Sequence, residues 1–328
     1  MIEVRNLVKD YYGHVAVNNL SFTVNPGEIV GFLGPNGAGK STTMNVITGY
    51  ISASSGQAIV NGYDIFTEPE KAKKSIGYLP EQPPLYPDMK VVEYLMFVAD
   101  LKKVKKSERR KMVKDIMELT KVSDVSGRLI KHLSKGYKQR VGLAGAIVGY
   151  PEILILDEPT VGLDPNQIIE IRQLIKSLST KHTILLSSHI MQEVSAVCDK
   201  IIIINNGELV AYDTPANIAK VMEESRELIV TVKGDVNCSK NVINNIEGIR
   251  EFRCESASEM LCTYYIKVEE EYDIREQIFF EMARVNCPVI EMRQHEVSLE
   301  EIFLSLTHGG SNQNNRRNNM KRVMEVEE

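Results

Sequence analysis

The stretch "GPNGAGKST", Gly34–Thr42, decides the fold. It fits the pattern G-x-x-x-x-G-K-[ST], follows the apolar run "EIVGFL" and opens the apolar-periodic "STTMNVITGY". A strand before such a loop and a helix after it is the context in which the pattern wraps a phosphate. Gly34, Gly37 and Gly39, with Pro35, Asn36 and Ala38 between them, let the backbone come close enough for successive N–H groups to meet phosphate oxygens. The helix N-terminus adds partial positive charge. Lys40 brings a full charge to the β- and γ-phosphates, and the Ser41 hydroxyl, followed by Thr42, is placed for Mg2+. The bland alternative is a Gly-rich turn that happens to hold a lysine, and the flanking strand and helix argue against it.

Reading outward, "MIEVRNLVKDYY" and "VAVNNLSFTV" mix β-branched and polar residues as strands do, and "NPG" at Asn25–Gly27 turns the chain into "EIVGFLG". Val91 to about Leu129 is helical and charged. The short apolar strands "EILILDEP" and "HTILLSSH" bracket a helical "NQIIEIRQLIKSLS", and "DKIIIINNGELVAYD" reads as a hairpin on "NNG". Alternating strands and helices around short apolar runs predict an α/β fold with a mainly parallel core sheet, beside an antiparallel β subdomain and a helical subdomain. After Val221–Arg226 the character changes. The order βαββαβ, from "ELIVTVKG" to "PVIEMRQHE", fits a small α+β ferredoxin-like domain. "SLEEIFLSLT" is expected as a last helix with Ser298 as N-cap and Glu301 in the capping-box position. The polar tail is expected to be disordered. The expected domains are 1–222, 223–307 and a tail over 308–328.

Composition narrows the class. The chain has 328 residues with 43% apolar and 25% charged, as soluble globular proteins do. A net charge of -5 argues against nucleic acid as the partner. No apolar run approaches the roughly 20 residues of a membrane span, and the N-terminus has no apolar signal region. The five cysteines lack C-x-x-C spacing and read as reduced thiols rather than disulfides or zinc ligands.

A second motif, "ILILDEP", ends an apolar strand in Asp157 and Glu158. Asp157 would hold the Mg2+ shell and Glu158 would polarise an attacking water. Carboxylates at strand ends are common, so the motif draws its weight from following a phosphate loop in the same domain. Taken in order, Lys40, "LSKGY" at Leu133–Tyr137, "ILILDEPTVGLDP" and the His189 of "LLSSH" resemble the ATP-binding cassette (ABC) ATPases, and the likeness runs from Met1 to about Val221. The resemblance implies a P-loop NTPase-type core that binds ATP with Mg2+ and hydrolyses it, with Glu158, His189 and Lys40 as the catalytic set. It also implies that Tyr12 stacks on adenine, that "LSKGY" is the signature loop, with Ser134, Lys135 and Gly136 at a nucleotide, and that Asp164 in "VGLD" reaches across a dimer interface. His189 would contact the γ-phosphate.

Two positions depart from the family pattern. A Gln is usual after a segment like "GYLP", where it links Mg2+ and water to the membrane partner; here Glu81 stands there and Gln82 follows, so either could serve the metal. In the signature loop Lys135 replaces Gly and Tyr137 replaces Gln, while Ser134 and Gly136 are kept. Lys135 could point inward to phosphate or outward to solvent. In this family the signature and phosphate loops complete a site only between two subunits. The expected partners are therefore a second ABC ATPase subunit, taken as a homodimer, and a transmembrane permease subunit, with no nucleic acid. The expected location is the cytoplasmic face of the cell membrane. The C-terminal domain and "IGYLPEQPPLYPDMKVVEYL" resemble the exporter branch; import, or a non-transport role at ribosomes or DNA, are the alternatives. "VVEYLMFVADL" beside "PPLYPDM" is either a partner surface or helical core, and the basic Lys102–Lys114 run is either a solvated helix face or an anionic-partner surface.

Overall fold

Alternate burial along the first 24 residues makes two strands. In β1 (Ile2–Tyr11) and β2 (His14–Val24), Ile2, Val4 and Leu7 pack inward with Val17, Leu20, Phe22 and Val24. The two pair antiparallel from Ile2↔Val24 to Tyr11↔His14, across a turn in which Tyr12 (φ 52°) and Gly13 (φ 95°) are left-handed. A computed structural model describes residues 1–218, 227–258, 261–269 and 272–295 of the chain.

β3 (Ile29–Leu33) is buried at every residue, as the central strand of a parallel sheet must be. The phosphate loop leads from it into α1 (Lys40–Ile47). Then come β4 (Ser55–Val60), β5 (Tyr63–Asp64), α2 (Pro69–Lys74) and β6 (Ile76–Leu79). None of these four has more than six residues, too few to print a period on the sequence. α3 (Val91–Leu101), α4 (Lys106–Leu119) and α5 (Lys135–Ile147) pack on one another. β7 (Ile153–Leu156), α6 (Pro165–Leu178), β8 (Thr183–Ser188), α7 (Met191–Ser195), β9 (Lys200–Asn205) and β10 (Glu208–Asp213) complete the first unit, which spans Met1–Pro215.

Two sheets result, one of order β2-β1-β4-β5 and one of six strands, β10-β9-β3-β8-β7-β6. In the second, β9, β3, β8, β7 and β6 run parallel and β10 returns antiparallel over Asn206 and Gly207, both with positive φ. Apolar residues of β1, β2 and β4 share one core with α1 and one face of the parallel sheet, where Phe22 meets Phe32 at 5.5 Å between ring centroids. The parallel register pairs Leu33 with Ser188, and Leu156 with both Leu186 and Leu79. The loops that follow β3, β6, β7 and β8 therefore leave one edge of the sheet together, where open α/β sheets bind ligands.

The basic run is only partly a solvated face. Lys103, Lys105, Lys106, Lys111 and Lys114 are exposed, whereas the Lys102 ammonium donates to the carbonyls of Gly145 (3.3 Å), Ala146 (2.9 Å) and Val148 (2.8 Å). Those carbonyls end α5 and lack intrahelical donors, so a cation fits there.

The second unit begins at Ala216. It holds β11 (Glu227–Lys233), α8 (Val236–Asn244), β12 (Ile249–Ser258), β13 (Leu261–Val268), α9 (Arg275–Arg284) and β14 (Val289–His295). Its sheet, β12-β13-β11-β14, is antiparallel throughout, and with the order βαββαβ this is the ferredoxin-like arrangement. Val230, Val232, Tyr264, Ile266, Ile278 and Met282 form its core. The expectation of reduced cysteines needs correcting here, because Cys254 and Cys262 form a disulfide. The register pairs Cys254 with Tyr264 and Ser256 with Cys262, so the two cysteines are diagonal neighbours on adjacent strands, a proximity that spacing alone does not reveal. Cys198 and Cys287 are buried free thiols and Cys238 is an exposed one. The expected boundary at 222/223, the expected helix over 298–307 and the tail over 308–328 lie outside the described residues.

His182, just before β8, is 4% exposed and its Nδ1 lies 2.5 Å from the Pro151 carbonyl. Burial holds its pKa below the ordinary 6.5. The unfolded chain then binds the proton more readily than the folded one, so this histidine favours folding above its unfolded pKa and loses that contribution as pH falls through about 6.5. Urea unfolding at pH 7.5 and 5.5 should show the wild type losing more stability than His182→Gln across that interval.

Candidate active site

The phosphate loop owes its shape to left-handed glycines. Gly37 (φ 81°) and Gly39 (φ 102°) take a conformation that costs other residues energy, and Gly39 immediately precedes α1. A Cβ on Gly39 would also lie 2.4 Å from the Ala16 carbonyl, so β2 approaches the loop directly. Lys40 starts α1 and is only 6% exposed. Its ammonium donates to the Gly34 carbonyl at 2.8 Å and the Pro35 carbonyl at 3.3 Å, and pairs with Glu158 at 3.5 Å.

Asp157 and Glu158 follow β7 and are 3% and 6% exposed. Buried carboxylates need donors, and β8 supplies one. The Ser187 hydroxyl donates to Asp157 Oδ1 at 2.6 Å and accepts the Glu158 backbone N–H at 2.8 Å. Ser41 Oγ donates to the same Asp157 oxygen at 3.3 Å. Glu158 has φ 48°, a left-handed conformation that a glutamate holds only when its surroundings over-determine it. His189 Nδ1 lies 2.9 Å from Glu158 Oε2. Lys40, Ser41, Asp157, Glu158 and His189 are thus one connected cluster. Ser187 belongs to it and was not singled out from sequence, since a serine in "LLSSH" carries no signal without the β7–β8 register.

A cleft of about 310 Å³ opens on this cluster. Asn36, Gly37, Gly39, Lys40, Ser41 and Thr42 form its floor, with Glu81, Glu158, Tyr11, His14 and Ala16 around it. Glu81 lines the cleft and Gln82 does not. Tyr12 projects fully into solvent from the β1–β2 turn, next to Tyr11.

The signature residues lie elsewhere. Ser134 is the N-cap of α5 and accepts from the Tyr137 N–H at 3.3 Å. Gly136 and Tyr137 border a different cleft with Lys121, Asp124, Arg140, Gln167 and Glu170. Of the two sequence alternatives for Lys135, the outward one holds, since the side chain is exposed. It leans back on its own subunit, where a Cβ on Gly162 would sit 2.0 Å from its ammonium. A Cβ on Gly136 would sit 2.3 Å from the Gln167 carboxamide, so the signature helix abuts the start of α6. Asp164 caps α6, accepting from the Gln167 N–H at 3.0 Å. The Tyr137 hydroxyl donates to Asp124 at 2.7 Å, a bond that raises its pKa, and Arg140 pairs with Glu170, whose pKa it lowers.

The chain is similar to known proteins in sequence and fold. The ABC transporter family matches residues 17–161. Linearmycin resistance ATP-binding protein LnrL of Bacillus subtilis is 32% identical over 308 residues, covering 94% of this chain and 98% of the relative. Lipopolysaccharide export system ATP-binding protein LptB of Escherichia coli is 35% identical over 221 residues, covering 66% and 92%. Among solved structures, the dimeric ABC transporter cassette MJ0796 superimposes with a TM-score of 0.60 at 26% identity, over 65% of this chain and 98% of that one. The same cassette in a post-hydrolysis state with ADP and Pi superimposes with a TM-score of 0.60 at 25% identity, over 65% and 98%. Since a relative is matched along nearly its whole length and the phosphate loop sits in the matched region, the chain belongs to the ABC transporter family as an ATP-hydrolysing ATP-binding subunit.

Proposed function

We propose that this subunit powers export through a separate membrane-spanning partner, working as one of two cassettes that close on ATP. One observation carries the reading. The phosphate cleft is lined by Lys40, Ser41, Glu81 and Glu158 but by none of Ser134, Lys135 or Gly136, and Gly136 borders a different cleft of the same unit. A site divided in this way supports completion by a second copy, each ATP lying between one subunit's Lys40 and the other's Ser134 and Gly136. The dimeric state of the similar cassette MJ0796 supports the same arrangement. Export draws support from the relatives named for linearmycin resistance and lipopolysaccharide export. No helix among the described residues is long and apolar enough to cross a membrane. The relatives named as ATP-binding proteins of a resistance and an export system support a separate permease and a location at the cytoplasmic membrane face through it.

Each residue then has a task. Tyr12 stacks on adenine. The backbone amides from Gly34 to Thr42 receive the phosphates, and Lys40 exchanges its loop carbonyls and Glu158 for the β- and γ-phosphates. Ser41 and Asp157 present oxygen donors 3.3 Å apart, the hard-ligand set Mg2+ takes beside phosphate, with Glu81 near. Mg2+, when bound, neutralises phosphate charge. Glu158, freed from Lys40, polarises the attacking water, and His189 holds Glu158 and reaches the γ-phosphate. Asp164 faces the second subunit. Positioning and charge stabilisation do most of the work in phosphoryl transfer, so closure gates chemistry. Tyr86 (52% exposed) stacks edge-on against Phe97, and Leu101 is 64% exposed, while Tyr94 is buried. This partly open apolar face of α3 is the proposed permease contact.

Three results are expected. Glu158→Gln should lower ATP turnover about 100-fold or more, while light scattering with ATP and Mg2+ finds a dimer; a monomer would refute the divided site. Glu81→Gln should raise the Mg2+ concentration for half-maximal ATPase activity, and Gln82→Ala should leave it unchanged. Leu101→Asp should reduce co-purification of a membrane protein with this chain, with basal ATPase activity retained.

A further inference from the structure

Glu158 and His189 sit on separate loops, after β7 and β8, and their 2.9 Å contact depends on how those loops are held. Glu193, on α7, touches both. It is 7% exposed, and its Oε2 accepts from Thr160 Oγ1, two residues past Glu158, and from Ser188 Oγ at 3.2 Å, one residue before His189. The Ser188 hydroxyl in turn accepts the Ile190 N–H at 3.1 Å, on the other side of His189. The Val161 N–H bonds the Glu158 carbonyl at 3.2 Å, closing a turn around Thr160.

α7 is itself fixed against the sheet. A Cβ on Gly31 of β3 would lie 1.9 Å from a Val194 methyl, so the central strand admits α7 only because glycine stands there. Glu193 therefore accepts from two loops while seated on a helix packed closely against β3.

We propose that Glu193 is a positioning residue for hydrolysis. Its carboxylate clamps the Glu158 turn to the His189 turn, and so sets the geometry in which Glu158 meets water and His189 meets the γ-phosphate. It does not line the phosphate cleft and acts through Glu158 and His189. A buried carboxylate is costly unless it is well hydrogen-bonded, and two hydroxyl donors from the two catalytic loops provide those bonds here. The inference rests on the ATPase reading of the same site.

The test uses the full chain and steady-state ATP hydrolysis with Mg2+. Glu193→Ala removes the acceptor and should lower kcat about 10- to 100-fold, as small displacements of catalytic groups do. KM for ATP should stay within about twofold, because the phosphate loop is untouched. Glu193→Gln keeps the side chain's shape and an acceptor oxygen and should recover most of the rate, which a role of net charge would not predict. Thr160→Val, near-isosteric, should fall between them and serves if Glu193→Ala does not fold. If the wild type turns over and both Glu193→Ala and Thr160→Val match it, or if kcat and KM worsen together in all three variants, the clamp is wrong and the ATPase reading stands. If the wild type shows no turnover, the ATPase reading fails and the clamp fails with it.

Discussion

An ammonium buried to 6% exposure must have partners, and the site is organised around that requirement. Lys40 finds two carbonyls in its own loop and Glu158 across from β7. Glu158 is held in a left-handed backbone conformation, with its amide on Ser187 and its carboxylate shared between Lys40 and His189. The same serine hydroxyl satisfies Asp157, which also receives Ser41. Three strands, β3, β7 and β8, and the loops that follow them are thus joined through a few buried polar atoms, because the parallel register brings the strand ends to one edge. A phosphate arriving at Lys40 replaces Glu158 as counter-charge, so binding and preparation of the carboxylate are one event in the proposed cycle.

The signature loop shows how substitution can leave a backbone role intact. Ser134 caps α5 whatever follows it. Lys135 lies back along Gly162, and Tyr137 is tied to Asp124, so both replacements are occupied within their own subunit. At Gly136 the helix comes close to the Gln167 carboxamide, which would have to move to admit a larger residue. The signature helix and the start of α6, both proposed to meet the second subunit, form one braced surface reinforced by Arg140 and Glu170.

Much of this was legible from residue order. The phosphate loop, the carboxylates after β7 and the βαββαβ order of the second unit follow from local chemistry: glycines for left-handed turns and β-branched runs for buried strands. The elements from Ser55 to Leu79 were not legible, since a six-residue strand or helix is too short to show a period. Lys102 reads as one more cation in a basic run until α3 and α5 pack and set it on three carbonyls. The Cys254–Cys262 bond depends on strand register, and a separation of eight residues does not specify register.

By itself the sequence determined which residues can do the chemistry: an ammonium, a hydroxyl and two carboxylates in the settings that phosphate chemistry needs. Tertiary structure alone decided how they are held. Ser187 becomes the hub of the carboxylates, Glu81 rather than Gln82 lines the cleft, Lys135 rests on Gly162, and Glu193 bridges two loops. The physical reason is distance along the chain. Local preferences act over a few residues, whereas Ser41 and Asp157 are 116 residues apart and Glu158 and His189 are 31 apart, and only the register of a folded sheet brings such groups within hydrogen-bond reach.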